Sequence, residues 1–245
     1  MSTPNGLIVY RGPSQLDPDV EIVAIVTGLT GRSANRKTGA MVQTWIMRTD
    51  IEPHKAIKSG LDSAVCGDCP FSGGQGCYVI TFQAPLAVYR AFKRGVYPEA
   101  SYVLDIRAAG ATRAVRIGSY GDPAAVPTGV WSALTADAKT WTGYTHQWRT
   151  ADPGLARFCM ASVETFRQSL DAMEAGYRTF RVSAEIDPVQ GVEITCPASK
   201  EAGERTTCAD CGLCKGSQSN GRSITIMAHG ATAKRARTAL VQLSA

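Results

Sequence analysis

The sequence predicts a mixed α/β protein: an irregular or partial TIM-like (β/α) barrel whose strands run mostly parallel. Apolar runs of strand length alternate along the chain with segments of helical periodicity. Several of these runs are continuously aliphatic and β-branched, the pattern of strands buried on both faces of a parallel sheet. The chain has 245 residues, which is enough for one such domain, so residues 1–245 are interpreted as a single domain.

Nine runs have the length and composition of buried strands. Each ends in small, polar or ligand-type residues, which is how strands commonly end in α/β folds. The predicted strands cover residues 21–28, 41–48, 77–82, 114–120, 141–146, 157–163, 178–183, 192–195 and 223–229.

Four segments carry apolar residues at helical spacing. In the first of them, residues 84–94, the following Gly95 is suited to end a helix. The connection between strands 178–183 and 192–195 is too short for a full helix, so an open six-stranded barrel fits nearly as well as a closed one. The other three predicted helices cover residues 127–139, 164–175 and 231–243.

Polar or ligand-type residues follow the carboxyl ends of six predicted strands, the edge that carries function in (β/α) folds. The same positions also suit helix caps and turns, so each residue has a structural interpretation beside the functional one. The candidates for acid–base or ligand roles are Asp122, His146, Glu164, Glu185, Cys196 and His229.

Eight cysteines in tight groups predict metal ligands rather than disulfides. The chain opens without the basic and apolar segments of a secretory signal, and no apolar run approaches the ~20 residues of a membrane span. We therefore expect a cytoplasmic protein with no membrane partner. Its cysteine-rich loops are expected at 66–77 and 196–214.

The C-terminal cysteine group combines C-x2-C-x2-C with an upstream Cys-Pro. Three thiolates at that spacing can occupy three corners of a cubane, and a Cys-Pro from a distant segment can supply the fourth. Zinc more often uses two separate pairs of ligands. We therefore expect a cluster of the four-iron, four-sulfur kind, with zinc as the competing interpretation. Its ligands would be Cys196, Cys208, Cys211 and Cys214.

The other group predicts a second metal centre on Cys66, Cys69 and Cys77. Its glycines allow the loop to fold back and to direct backbone amides at sulfur. A four-iron cluster would need a fourth ligand from elsewhere or would leave one iron open. Zinc with three thiolates and a histidine, His54 being nearest in sequence, is the alternative. Cys159 is interpreted as a buried apolar thiol.

The segments 66–70, 77–79, 84–95 and 196–216 resemble sequences in uncharacterised proteins of phages and mobile elements, which look like relatives of radical-SAM-type iron–sulfur barrels. The resemblance covers most of the chain and implies the barrel, the cluster and a host-cell cytoplasm, but no particular reaction. Radical-SAM enzymes carry C-x3-C-x2-C, whereas residues 66–77 read C-x2-C-x7-C. This departure puts binding of S-adenosylmethionine in doubt.

Two functions follow from these patterns. The first is an iron–sulfur protein, with a redox or radical-SAM-like reaction if it is an enzyme. The alternative is a nucleic-acid-binding protein with structural zinc or iron–sulfur sites, since the net charge of +5 permits such contact. Bases could stack on the aromatic segment 131–148, although core packing explains it as well. The basic residues expected to contact nucleic acid are Arg32, Arg36, Lys37, Lys234, Arg235 and Arg237.

Overall fold

Two five-stranded sheets form the framework of the protein in a computed structural model that describes residues 4–31, 35–218 and 221–243. The first sheet has the order β1-β2-β3-β4-β5. The β1/β2 and β2/β3 pairs are antiparallel, whereas β3/β4 and β4/β5 are parallel. These strands are β1 (Gly6–Pro13), β2 (Glu21–Thr27), β3 (Met41–Arg48), β4 (Ala114–Tyr120) and β5 (Trp141–Thr142).

The second sheet is wholly parallel and has the order β6-β7-β8-β10-β9. The last strand in sequence, β10, thus lies between β8 and β9. The mixed α/β class with mostly parallel sheets is confirmed. The strands of this sheet are β6 (Tyr144–Thr145), β7 (Met160–Val163), β8 (Thr179–Ser183), β9 (Glu193–Thr195) and β10 (Ser223–Met227).

Only Gly143 separates β5 from β6, so one short stretch of chain belongs to both sheets. A Cβ atom at this position would lie 2.8 Å from the Cys159 sulfur and 2.8 Å from the Phe158 carbonyl oxygen. Glycine is therefore required where the chain passes from one sheet to the other. Its amide also donates to the carbonyl of Cys214, at 3.1 Å.

Helices connect the strands and pack on both sheets; the helix Phe166–Glu174, for example, packs on β7 and β8. The largest apolar core packs β1–β4 against helical residues such as the fully buried Trp131 and Leu134. Each helix of the described residues falls short of the length or the apolarity that a bilayer crossing demands. The helices in the described residues are α1 (Pro53–Lys58), α2 (Ser63–Cys66), α3 (Ala84–Lys93), α4 (Val103–Ala111), α5 (Thr128–Thr135), α6 (Phe166–Glu174), α7 (Cys208–Cys211) and α8 (Ala233–Leu243).

Most predicted elements are confirmed within a few residues, but the predicted strand at 77–82 is wrong. Its apolar run forms turns instead, because the preceding loop folds back on itself: the Cys77 amide donates to Phe71 at 3.0 Å, and the Gln83 amide to Ile80 at 3.1 Å. Gly76 adopts a φ of +135°, and a Cβ there would lie 2.8 Å from the Ala236 backbone of α8. This segment therefore does not pair with a neighbouring strand.

Candidate metal and ligand site

A cavity of about 390 Å³ lies against one face of both sheets. Alternate residues along a strand point to the same face, and the strands follow this period of two where they line the cavity. In β4 the lining residues are Arg116, Gly118 and Tyr120. Beyond β4 and in the other strands they are Asp122, Thr142, Tyr144, His146, Phe180, Val182, Ile224, Ile226 and Ala228.

All seven cysteines that the sequence predicts as ligands line this one cavity, and every one is a free thiol. They come from two segments far apart in sequence, 66–77 and 196–214. The eighth, Cys159, does not line the cavity and is fully buried in the large apolar core. The structure therefore brings the predicted ligands together and separates from them the one cysteine predicted to be structural.

The first group is Cys66 at the end of α2, followed by Cys69 and Cys77 in the glycine-rich loop. Burial raises the pKa of the Cys66 thiol well above its usual value, and the neighbouring Cys69 and Cys77 raise it further. The backbone amide of Val79 donates to the Cys77 sulfur, which partly offsets the effect of burial on the pKa of Cys77. This donor follows the glycine-rich loop rather than lying within it.

His146 lies against this first group. Its ring packs edge-on to Phe71, with centroids 5.9 Å apart, and it hydrogen-bonds to the Cys69 side chain. Its Nε2 atom is 3.2 Å from Oε1 of the buried Glu164, within ion-pair distance but without hydrogen-bond alignment. Burial lowers the pKa of His146, but Cys69 and Glu164 outweigh it and hold this pKa well above its usual value.

The second group surrounds α7. Cys196 follows β9 and accepts a hydrogen bond from the Ala198 amide. Burial raises the pKa of Cys214 to about 12, although the Tyr144 hydroxyl donates to its sulfur and opposes the rise. Between Cys211 and Cys214 the chain turns at Gly212, whose φ of +62° is left-handed and favours glycine. A Cβ there would lie 2.6 Å from the Thr140 hydroxyl oxygen.

Backbone hydrogen bonds attach this second group to the connection between β2 and β3. The Cys208 amide donates to the Lys37 carbonyl, and the Ala209 amide to Thr38, each at 3.0 Å. The guanidinium of Arg178 holds the loop after the group, since it donates to carbonyls of Leu213 (2.7 Å), Gly216 (3.1 Å), Gly221 (2.7 Å) and Arg222 (2.6 Å).

Two cations also line the cavity. Lys37 Nζ is 2.9 Å from Nε2 of His229, whose Nδ1 is 3.1 Å from the Met227 carbonyl oxygen. A ring in which Nδ1 donates to that carbonyl leaves Nε2 free to accept from Lys37. Burial lowers the pKa of both Lys37 and His229. The second cation, Arg116, donates to the phenolic oxygen of Tyr78 at 2.8 Å.

Other predicted site residues are placed differently. Asp122 lines the cavity but is buried, and its carboxylate is occupied: it caps the short helix Pro123–Ala125 through the Ala124 amide (2.9 Å) and accepts from the Thr145 hydroxyl (2.7 Å) and the His146 amide (2.8 Å). Glu185 is exposed and does not line the cavity. The structure does not bring His54 to the thiols either, since its Nε2 lies 3.8 Å from Glu52.

The predicted basic surface is largely engaged with the chain itself. Arg235 donates to the carbonyl of Gly74 at 2.7 Å and Arg237 to that of Ala228 at 3.0 Å. Lys37 faces the cavity, whereas Arg36 and Lys234 are exposed and Arg32 lies outside the described residues.

The aromatic segment is mostly core. Trp131 and Trp148 are buried, and the Trp141 indole donates to the Phe158 carbonyl at 3.1 Å. Tyr144 is the member of this segment that lines the cavity.

Sequence analysis missed Arg116 and Tyr78, which interact with each other at the cavity. A usable signal for Arg116 was present, because it is a charged residue inside an otherwise apolar strand, with Val115 and Ile117 fully buried beside it. Such a charge needs a partner or a ligand. Tyr78 has no comparable signal, since it follows Cys77 in the segment interpreted as a strand.

Within the described residues, no three His, Cys, Asp or Glu side chains converge closely enough to hold a single metal ion. A zinc ion needs its ligands about 2.0–2.3 Å away.

Comparisons with protein-family models, with curated proteins and with solved structures found no match to the chain. The function is therefore argued from the cavity and the groups that line it.

Proposed function

We propose that the chain is an iron–sulfur protein whose two cysteine groups hold clusters facing one small-molecule cavity. The observation that carries this proposal is the gathering of seven thiols around one cavity while Cys159 remains in the core. Free thiols that line a cavity are prone to oxidation. Ligation of iron would explain why all seven thiols line the same cavity.

The surroundings of the thiols fit cluster ligation. Besides the contact of His146 with Cys69, hydrogen bonds reach three of the sulfurs: from the Val79 amide to Cys77, from the Ala198 amide to Cys196, and from the Tyr144 hydroxyl to Cys214. Donors to sulfur stabilise the thiolate form and tune the reduction potential of a bound cluster. The C-x2-C-x2-C spacing with an upstream Cys-Pro favours a cluster over a single zinc ion.

His146 completes the first group in this proposal. Cys66, Cys69 and Cys77 provide three ligands, and His146 is the histidine that contacts a thiol of the group. Metal-binding histidines commonly hold their second ring nitrogen against a carboxylate, which orients the ring. Glu164 occupies that place, 3.2 Å from Nε2.

We further infer that the two sheets together form an incomplete barrel around the cavity. The stretch around Gly143 joins them at one edge, and the amides of Cys208 and Ala209 donate to Lys37 and Thr38 in the connection between β2 and β3. Residues of both sheets line the same cavity. This arrangement would place both cysteine loops at the open end of a TIM-like scaffold.

The reaction class that follows is redox chemistry on a small molecule. Thiolate-bound clusters supply one-electron transfer when they are present. The chain itself contributes an apolar wall that excludes water, formed by Phe180, Val182 and Ile224, and cations that hold a ligand in place. The C-x2-C-x7-C spacing of residues 66–77 gives no support for S-adenosylmethionine as that ligand.

Anaerobic purification followed by quantification of iron, acid-labile sulfide and zinc tests the proposal. We expect iron and sulfide in comparable amounts, and a Cys211→Ser variant that loses roughly half of both, because one of two clusters loses a ligand. Cys159→Ser is the matched control and is expected to retain its iron. Stoichiometric zinc without sulfide, or equal losses in the two variants, would overturn the assignment.

The nucleic-acid alternative has less support, because Arg235 and Arg237 bind carbonyls of the chain. It predicts affinity for a labelled DNA or RNA duplex that falls steeply between about 50 and 200 mM salt. Such binding by a zinc-loaded chain that contains no sulfide would favour this alternative.

A further inference from the structure

We propose that the cavity binds a small organic anion, whose carboxylate or phosphate group is held by Lys37 and Arg116. This inference deepens the proposed function, since it names the ligand class of the same cavity. It is carried by the cations and the cavity wall, so it can be tested separately from the clusters.

Lys37 is held in place by a neutral partner. Its Nζ atom lies 2.9 Å from His229 Nε2, while the other nitrogen of that ring is 3.1 Å from the Met227 carbonyl oxygen. An ammonium group has three donors, and His229 accepts one of them. The imidazole thus positions Lys37 at the cavity without neutralising its charge.

Arg116 is the stronger anion ligand of the two. It lies in the middle of β4, and its guanidinium donates to Tyr78, an uncharged partner, at 2.8 Å. Within the described residues, neither cation has a carboxylate at ion-pair distance; Glu201 acts on Lys37 from farther away, and no carboxylate acts on Arg116. A partly buried cation without a counter-charge is costly, and a guanidinium matches the two oxygens of a carboxylate or phosphate.

Lys37 and Arg116 interact with each other at the cavity. Both line the cavity, and the charge of Arg116 contributes to lowering the pKa of Lys37. Their mutual repulsion is relieved by an anion placed between them. The nearby thiols of Cys196 and Cys208 offer a competing counter-charge, so the experiment must separate ligand binding from support of a cluster.

The rest of the wall sets the kind of anion. Phe180, Val182, Ile224 and Ile226 are apolar, and the Phe180 ring packs on Tyr144 with centroids 4.5 Å apart. A volume of about 390 Å³ falls in the range of small-molecule pockets, roughly 300–1,000 Å³. The ligand is therefore a small molecule with an apolar or aromatic body and one anionic group.

Isothermal titration of the full-length, anaerobically purified chain with phenyl phosphate tests this inference. Benzyl alcohol is the neutral control, and inorganic phosphate lacks the apolar body. We expect phenyl phosphate to bind more tightly than either. Lys37→Met and Arg116→Met should each weaken binding at least ~10-fold, since each removes one charge-assisted contact. Arg90→Met, on an exposed arginine of α3 outside the cavity, should leave binding unchanged.

Absence of binding to the native chain, or equal binding by Lys37→Met and Arg90→Met, overturns the inference. Loss of iron from Lys37→Met with unchanged phenyl phosphate affinity also overturns it, because the cation then supports the cluster alone. If Arg116→Met does not fold, Lys37→Met decides, since its side chain lies in a loop rather than a strand. A native chain that binds phenyl phosphate but contains no iron or sulfide keeps this inference and loses the proposed function.

Discussion

At the scale of single residues, the three histidines of the chain differ in what surrounds them. His54 is paired with Glu52 outside the cavity, and His229 accepts from Lys37. His146 alone among them hydrogen-bonds to a cysteine of the predicted ligand set, and Glu164 lies against its far nitrogen. Proximity in sequence, which favoured His54, is a poor guide to ligation because the fold brings distant residues together.

Replacement of His146 by alanine is expected to lower the iron bound by the chain by up to half, since one of the two groups loses its fourth ligand. His54→Ala is the matched control and should retain its iron. Iron and sulfide determination after anaerobic purification gives the comparison, and the visible absorption of the protein should fall in parallel. An iron content that is the same in both variants would contradict the role given to His146.

At the scale of secondary-structure elements, a buried ion pair holds the edge of the second sheet. Arg181 on β8 makes two hydrogen bonds to Glu193 on β9, of 2.9 and 2.7 Å. Both side chains are nearly inaccessible, at 5% and 0% exposure. Because β9 is short and lies at the edge of its sheet, this pair fixes the strand that leads directly into Cys196.

Glu193→Ala should lower the free energy of unfolding by about 3–5 kcal/mol, because it leaves the buried guanidinium without its main partner. The matched control is Asp171→Ala, which breaks the exposed Arg167–Asp171 pair and should cost about 0–1 kcal/mol. Urea denaturation of both variants measures the difference. Similar losses would mean that Arg181 is satisfied without Glu193.

Local sequence chemistry explains which elements were predictable. The capping box of Thr165 and Gln168 and the apolar spacing of α6 are encoded within the helix itself. The run at 77–82 has the composition of a strand, yet the Gly76 turn packed on α8 directs it away from any sheet. Composition favours a strand, but a strand also needs a partner, which only the assembled fold provides.

At the scale of the whole molecule, the two cysteine groups join parts of the chain that are far apart in sequence. The first lies between β3 and β4, and the second between β9 and β10, with backbone bonds from the second to Lys37 and Thr38. Bound clusters would therefore connect loops of both sheets. Binding free energy at such sites becomes folding free energy.

Removal of iron with a chelator under reducing, anaerobic conditions is expected to lower the thermal midpoint by about 10 °C or more, since several kcal/mol of stabilisation are lost. The Cys159→Ser protein should show the same fall. The Cys211→Ser protein, which starts with less iron, should show a smaller one. Calorimetry before and after treatment provides the measurement. A thermal midpoint that the chelator leaves unchanged in all three proteins would contradict a stabilising metal.

The sequence by itself determined the α/β class, most of the strands, half of the helices, and the division of the cysteines into two groups with Cys159 apart. These properties follow from periodicity and spacing along the chain, which are local. The tertiary structure alone decided that both groups face one cavity, that His146 rather than His54 lies against the first, and that Lys37 and Arg116 share that cavity. These relations join residues far apart in sequence, so they depend on the order of the strands in the two sheets.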